Sequence, residues 1–452
     1  MADKIKQGMH GCSRADTYVV PKEPEVREHL EWFQDQKLAL MFHFGIYSEL
    51  GICESWPLSD GDASWSRGGI DWEPDGEIFK EQYRNLNKSF NPVRFEPEKW
   101  ASFARESGFR YVIFTTKHHD GFCMFDTKYT DYKVTSPDCP FHTHKNANIA
   151  KCVFDAFRAE GLGIAAYFSK PDWHCPWYWA EGFEKKPAAD RNPTYKPAEH
   201  PEVWKKFEEY TWNQMMELVR DYGPIDIMWL DGGQVNPGNG QDIHLSEFAA
   251  KAREITPNLI FADRTVEGPN ENYITPEQSI PAEYIPVPWE SCVTLGHSFS
   301  FAYEDTYKSP RTLVNMLSDV VCRGGNLALN IGPQPDGRLP IGAMRSARGM
   351  GEWLKINGDA IYGTRAVAPY EVGSIAFTKK GGTVYAIDRI EEGEVLPRTM
   401  FIPWAGKVSN PRLLDSSLSA EFEIAEGGLV VYWGELAGTS PIAPVVAFDP
   451  EA

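Results

Sequence analysis

Residues 224–233 read Pro224-Ile225-Asp226-Ile227-Met228-Trp229-Leu230-Asp231-Gly232-Gly233. The apolar run from Ile225 to Leu230 predicts a buried strand, and it stops on a carboxylate followed by two glycines. Burying a lone ionised carboxylate is costly, so a core strand that ends on one needs a reason. Two glycines let the backbone turn away and leave open space beside the acid. An Asp at the C-terminal end of a parallel strand is where α/β barrels carry catalytic groups. The same Asp would also serve as the N-cap of a following helix. On this stretch alone the two readings are even.

Outward from it, the pattern recurs. Upstream, Leu38-Ala39-Leu40-Met41-Phe42 leads into His43, Phe44 and Gly45. Tyr111-Val112-Ile113-Phe114-Thr115-Thr116 runs into Lys117-His118-His119-Asp120-Gly121-Phe122. Gly163-Ile164-Ala165-Ala166-Tyr167-Phe168 is a third strand, and Leu259-Ile260-Phe261-Ala262 a fifth, ending in Asp263-Arg264. Between them, apolar spacing and end signals predict helices near 25–35, 97–107, 148–160, 201–222 and 245–255. Strands alternating with helices indicate βαβ units and a parallel sheet, hence an α/β fold. Five successive strands end in polar groups: His43, the pair His118 and His119, Tyr167, Asp231 and Arg264. A barrel with its catalytic groups on the C-terminal face does this; a sandwich or solenoid does not.

Beyond Arg264 the pattern loosens. Residues 283–290 are the expected sixth strand, 310–322 a helix, 325–333 the last strand and 343–357 the closing helix. Residues 49–95, rich in Gly, Ser, Asp and Trp, read as a long irregular loop, which in a compact domain is usually functional. From about Arg365 the texture changes to short strands at 374–378, 383–390, 398–402, 421–424, 429–433 and 445–448, separated by Gly, Pro and Asn turns. The expected division is a catalytic barrel over 1–365 and a β-sandwich over 366–452.

Composition narrows the partners. The 452 residues carry 45 Lys and Arg against 64 Asp and Glu, a net charge of −19. Nucleic-acid backbones and anionic membranes both call for a basic surface, so neither is an expected partner. No apolar run approaches the ~20 residues of a membrane span. Fifteen tryptophans supply flat amphipathic platforms that suit sugar rings, though large aromatic cores account for most of them. Met1 to Gln7 contain no apolar stretch of the secretory kind, and the eight cysteines are scattered with no Cys-x-x-Cys. A cytoplasmic location is therefore expected, or a secreted or periplasmic one if a signal has been removed.

The strand-end constellation holds carboxylates, imidazoles, an arginine and aromatics. A glycine-rich dinucleotide loop, a Walker loop and a Gly-x-Ser-x-Gly elbow are all missing, so no nucleotide cofactor is expected. A zinc site from His43, His118, His119 and Asp231 is disfavoured, because neighbours in extended chain point to opposite sides; no metal is expected. Two carboxylates with divided roles fit better: one ionised and attacking, the other with a raised pKa and protonating a leaving oxygen, as in glycoside hydrolysis. Asp231 is the candidate nucleophile. Glu290, in Pro288-Trp289-Glu290-Ser291-Cys292, has an aromatic and a thiol beside it, a setting that raises a carboxyl pKa. It leads Glu277 and Glu54 as the acid/base candidate.

At these residues the chain resembles the α-L-fucosidases of glycoside hydrolase family 29. Thr116-Lys117-His118-His119-Asp120-Gly121-Phe122 is similar to the family's Lys-His-His-Asp-Gly-Phe signature, and Asp221 to Gly233 to its nucleophile segment. Gly324-Gly325-Asn326-Leu327, Leu329-Asn330-Ile331-Gly332-Pro333 and Asp336-Gly337 look like its last-strand motif, followed by Gly351 to Gly358 and Ile361 to Arg365. The resemblance implies a somewhat irregular (β/α)8-like TIM barrel with a C-terminal β-sandwich, and a retaining exo-hydrolase of terminal α-L-fucose on oligosaccharides or glycoconjugates. By matching motif, Asp231 would be the nucleophile and Glu290 the acid/base, with Glu277 as the other version of that position. His43, His118, His119, Tyr167, Trp229 and Arg264 would hold the sugar. Glu54 and Trp56 look like the family's Glu-Trp pair beside it, here split by Ser55, and Phe44 replaces a more usual tryptophan. Fucose has a methyl group where a 6-hydroxyl would be, so an apolar wall is expected, with Phe42, Phe44, Trp56 and Trp289 as candidates. For Phe42 an ordinary core position is the better reading.

Two alternatives share this sequence pattern. An α-L-galactoside hydrolase would use the same machinery, since an apolar pocket rejects an added hydroxyl weakly. A non-catalytic sugar-binding protein would keep the barrel without an intact acid pair.

Overall fold

A computed structural model describes residues 12–183 and 189–451. The Met1 to Gln7 segment, and part of the loop between 172 and 200, lie outside them. Seven strands form one sheet: β1 (Leu38–Phe42), β2 (Tyr111–Lys117), β3 (Gly163–Ser169), β4 (Ile227–Asp231), β5 (Ile260–Asp263), β6 (Glu290–Thr294) and β7 (Asn326–Ile331). Their order is β5-β4-β3-β2-β1-β7-β6, and every neighbouring pair is parallel. All positions of β1, β2, β5, β6 and β7 are buried, as expected of strands covered on both faces. Helices Pro24–Gln36, Pro97–Glu106, Pro201–Asp221 and Pro310–Cys322 begin on a proline, whose missing N–H costs nothing in a first turn. Ile149–Ala159 is capped by Asn148, which accepts from the Lys151 amide. Among the described residues no helix is long and apolar enough to cross a membrane, and the eight cysteines are all unpaired.

The sheet curls. Glu290 on β6 hydrogen-bonds with Tyr111 on β2 and with Trp229 on β4, strands that lie far from it in the sheet order. Between the two edge strands runs the segment 271–278. The Asn272 amide donates to Phe261 of β5 at 2.9 Å, and Glu290 and Cys292 of β6 donate back to Ile274 and Pro276 at 2.9 and 3.1 Å.

The sixth strand departs from expectation. It begins at Glu290 instead of ending there. Pro286 and Pro288 occupy the stretch expected to be strand, and a proline cannot donate to a ladder. Glu290 therefore stands at the N-terminal end of its strand, and Asp231 at the C-terminal end of its own. The 49–95 segment is also more ordered than its composition suggests. It contains the helix Gly76–Arg84, whose N-cap Asp75 accepts from the amides of Glu77 and Ile78.

The C-terminal part forms two antiparallel sheets. One has five strands in the order Val408–Leu413, Val445–Pro450, Thr383–Asp388, Ile375–Lys380 and Arg365–Val372; the other has Thr399–Pro403, Gly428–Tyr432 and Glu421–Ala425. Six of these eight strands match the expected positions. The two missed, Arg365–Val372 and Val408–Leu413, are the edges of the larger sheet and carry Pro369 and Pro411 with irregular register. Proline confines a strand to an edge and hides it from pattern reading. Phe377, Val384, Val446 and Phe448 of one sheet share an apolar cluster with Ile402, Leu429 and Val431 of the other and with Trp433 just past it. Ala376, Tyr385, Ile387 and Val445 pack on the opposite side into the core of the parallel sheet. Trp353 Nε1 donates to the Ala443 carbonyl at 3.0 Å across the same junction.

Candidate active site

The C-terminal ends of β1 to β5 converge on Asp231. Its Oδ1 accepts from Arg264 Nη1 at 2.7 Å, and its Oδ2 accepts from the Tyr167 hydroxyl at 2.7 Å and lies 3.3 Å from His119 Nε2. Burial alone would raise its pKa. The Arg264 charge, His119 and Tyr167 overcome that and hold the carboxyl well below its ordinary value. With 17% of its side chain exposed, Asp231 is ionised and within reach of a ligand.

The two glycines after Asp231 do not leave open space. Gly232 has φ +87°, and a Cβ there would strike the ring of Pro171; one on Gly233 would strike Thr265. Their bareness lets the loops after β3 and β5 close in beside the acid, which is how Arg264 comes within reach of it.

The imidazoles surround this carboxyl. Asn330 Nδ2 donates to the Phe299 carbonyl at 2.6 Å, so its Oδ1 is the acceptor for His43 Nδ1–H at 2.7 Å. Burial lowers the His43 pKa to about 4, so the ring is neutral and its Nε2 is a bare acceptor. His118 Nδ1 shares a 2.6 Å hydrogen bond with Ser55 Oγ, and burial together with its two histidine neighbours holds its pKa well below the ordinary value. His118 and His119 do not diverge as adjacent residues of a strand would: their rings lie 4.5 Å apart. β2 ends at Lys117, and the chain turns there. The turn is fixed by a buried pair, Lys117 Nζ to Asp172 Oδ2 at 3.0 Å, the same Asp172 that accepts from the amides of His174 and Cys175. His119 is 1% exposed, yet neither ring nitrogen has a well-aligned hydrogen bond. A buried polar group left in this state calls for a partner.

Arg264 does more than pair with Asp231. Its Nη2 donates to Glu277 Oε2 at 2.6 Å and its Nε to Thr275 Oγ1 at 3.3 Å. One rigid guanidinium fork thus spans two carboxylates. Trp229 lies beneath it, with the guanidinium carbon 4.6 Å from the ring centroid. Trp56 closes another side, its ring 5.1 Å from His119.

Four of the expected site residues, Glu290, Trp289, Phe44 and Glu54, sit elsewhere than the sequence suggests, while Phe42 takes the core position expected of it. Glu290 has no solvent exposure and is enclosed by Tyr111, Trp229 Nε1 at 3.1 Å and Tyr273 at 3.3 Å. Burial pushes its pKa up to about 7, against those three donors. Trp289 packs on Gly325 and donates to the Arg323 carbonyl, at the N-terminal end of the sheet and away from Asp231. Phe44 is buried against Phe90 and Trp100, and Phe42 against Trp100 and Phe157. Glu54 is 3% exposed and accepts from the Ser300 amide at 2.7 Å and the Cys53 thiol at 3.3 Å, so it ties the loop after β1 to the loop after β6. Burial raises its pKa to about 7.

Three contributors escaped the sequence reading. Ser55 and Asn330 orient His118 and His43, and Phe299 lies 5.0 Å from the His43 ring. Asn330 had a signal, since it lies one residue before the last parallel strand ends at Ile331, near where the other polar groups stand on theirs. Ser55 and Phe299 had none, because both sit in loops brought over the site from far along the chain. For a metal, His118, His119 and Asp231 offer ligand atoms within 4.8 Å of one another. That is looser than a tetrahedral zinc site, whose bonds of about 2.0–2.2 Å bring ligand atoms closer together.

A model of the α-L-fucosidase family matches residues 10–359. The α-L-fucosidase of Branchiostoma floridae is 28% identical over 375 residues, covering 79% of this chain and 78% of that one. Among solved structures, α-L-fucosidase isoenzyme 1 from Paenibacillus thiaminolyticus superposes with a TM-score of 0.76 at 27% identity, over 95% of this chain and 100% of that one. The α-fucosidase of Thermotoga maritima in complex with fucose gives a TM-score of 0.72 at 27% identity, over 93% and 98%.

Proposed function

The chain belongs to the α-L-fucosidase family of glycoside hydrolases, and from that premise we propose that it releases terminal α-L-fucose from fucosylated glycans with retention of configuration. The observation that carries this reading is the Arg264 guanidinium shared by Asp231 and Glu277. A retaining glycosidase needs two carboxyls about 5–5.5 Å apart, and a single fork gripping both keeps them close.

Asp231, ionised, attacks the anomeric carbon. The glycosidic C–O bond breaks as Glu277 gives its proton to the leaving oxygen, and an ester joins Asp231 to the sugar. Esterification removes the charge of Asp231. Glu277 next takes a proton from water, whose oxygen displaces Asp231 from the anomeric carbon. His43, His118 and His119 are placed in this reading as ligands of the fucose hydroxyls; the unsatisfied nitrogens of His119 and the bare Nε2 of His43 support it. Phe299 and Trp56 are the apolar groups beside them for the C6 methyl.

Glu277 is preferred to Glu290 on geometry. Glu290 has the raised pKa that an acid needs, but it has no exposure, and its lone pairs are engaged below Trp229. A general acid must reach the proton's destination before its pKa matters. For the fold, hydrogen bonds of segment 271–278 to both β5 and β6 support a closed, irregular (β/α)8-like barrel up to about residue 365. The apolar cluster shared by the two antiparallel sheets supports a β-sandwich beyond it.

The test is a panel of aryl glycosides with product analysis by proton NMR. Cleavage of the α-L-fucoside, with α-L-fucose as the first anomer released, is expected. β-L-Fucose appearing first, or turnover of an aryl α-L-galactoside in its place, would contradict the reading.

A further inference from the structure

Glu290 stands outside the reacting pair, yet no part of it meets solvent. A buried carboxyl is costly, and an apolar replacement often serves stability as well or better. One whose hydrogen-bonding capacity is filled specifies a geometry. Its Oε1 accepts from Trp229 Nε1 at 3.1 Å and from the Tyr273 hydroxyl at 3.3 Å, and its Oε2 accepts from Tyr111. Tyr111 is itself held, since Asn326 Nδ2 donates to its hydroxyl at 3.3 Å and to the Phe33 carbonyl at 2.7 Å.

The indole N–H is the only polar handle Trp229 has. Bonded to Glu290, the ring cannot rotate, and two groups rest on it. The Arg264 guanidinium carbon lies 4.6 Å from its centroid, and the Tyr167 ring stacks at 5.1 Å with 23° between planes. Both groups end on Asp231, Arg264 at Oδ1 and Tyr167 at Oδ2.

We propose that Glu290 is a positioning residue which, through Trp229, fixes Arg264 and Tyr167 and thereby the orientation and charge of Asp231. This rests on the reading of Asp231 as the nucleophile. Glu290 touches no reacting atom in this role. Its effect passes through one indole hydrogen bond, so the conservative amide serves as well as the acid. In Glu290→Gln the carbonyl oxygen still accepts from Trp229 and Tyr273, and the amide donates to the Tyr111 hydroxyl.

Glu290→Gln, Glu290→Leu and Trp229→Phe are compared with wild type on an aryl α-L-fucoside across pH. The Trp229 indole N–H resonance, identified by its absence from Trp229→Phe, is followed in parallel. Glu290→Gln is expected to retain most of kcat/KM and the wild-type acid limb. Glu290→Leu is expected to lose about tenfold to a hundredfold in kcat, the scale of a misplaced reacting group. Its acid limb moves to higher pH as Arg264 leaves Asp231, and its indole resonance is displaced. That limb reports Asp231 as faced by Arg264, His119, Tyr167, His43 and His118. Should Glu290→Leu fail to fold, Trp229→Phe removes the same bond from its other end and must move the acid limb the same way. Equal inactivity of the Gln and Leu variants, or an acid limb unmoved in Trp229→Phe, overturns the proposal. If wild type cleaves no α-L-fucoside, the functional reading falls, while the indole resonance still decides the link between Glu290 and Trp229.

Discussion

Asp231 and Glu277 share one guanidinium: Arg264 donates to the first at 2.7 Å and to the second at 2.6 Å. The chain puts Asp231 at the end of β4, Arg264 just past the end of β5, and Glu277 in the segment that joins the edges of the sheet. Packing holds all three: Arg264 is 7% exposed and lies over Trp229.

Arg264→Lys should therefore damage more than binding. A lysine keeps the charge but loses the fork that reaches two carboxylates. Asp231 would drift back towards the ordinary carboxylate range, so the acid limb of kcat/KM moves to higher pH. A loss of about a hundredfold in kcat is expected, on the scale of removing one preorganised donor. A pH–rate profile checks both.

Glu290 should reveal its burial in stability against pH. Its folded pKa, about 7, lies above the ordinary value of 4.5. A carboxyl raised on folding contributes its stability fully below the unfolded pKa, and that contribution is lost as pH rises towards the folded one. Glu290→Gln carries no such proton. Relative to wild type it should gain stability between pH 4.5 and 7, by up to roughly 3 kcal/mol. Thermal melts at pH 4.5, 6 and 7.5 read this; a constant difference between the two proteins would contradict it.

Metal removal should leave activity intact. His118, His119 and Asp231 are the nearest thing to a ligand set among the described residues, and their spacing is looser than zinc bonds require. In this account they are occupied by sugar hydroxyls and the anomeric centre. Assay after EDTA treatment, with elemental analysis, should show full turnover and no stoichiometric metal.

Much of this site is legible in the sequence, because polar groups at the ends of apolar runs need no long-range knowledge to be noticed. His43, His118, His119, Tyr167, Asp231 and Arg264 were found that way, and they do meet. What failed had physical causes. The apolar pattern puts Glu290 at the wrong end of its strand, whereas Pro286 and Pro288, which cannot donate to a ladder, mark the true start after them. Gly232 and Gly233 were read as making room, whereas Pro171 and Thr265 fill it. No local feature reveals that two loops from other strands converge there. His118 and His119 face one way because β2 stops at Lys117, one residue before the pair. Ser55 reaches His118 across 63 residues and Phe299 reaches His43 across more than half the chain, and only the fold brings them.

The division of labour between Asp231, Glu277 and Glu290 is tested most directly by azide rescue with product stereochemistry. Asp231→Ala, Glu277→Ala and Glu290→Ala are assayed on an aryl α-L-fucoside with a good leaving group, with and without azide. The account predicts β-L-fucosyl azide from Asp231→Ala, where azide attacks in place of the missing nucleophile. It predicts α-L-fucosyl azide from Glu277→Ala, where azide intercepts the ester, and no azide product from Glu290→Ala. α-L-Fucosyl azide from the Glu290 variant and none from the Glu277 variant would contradict it.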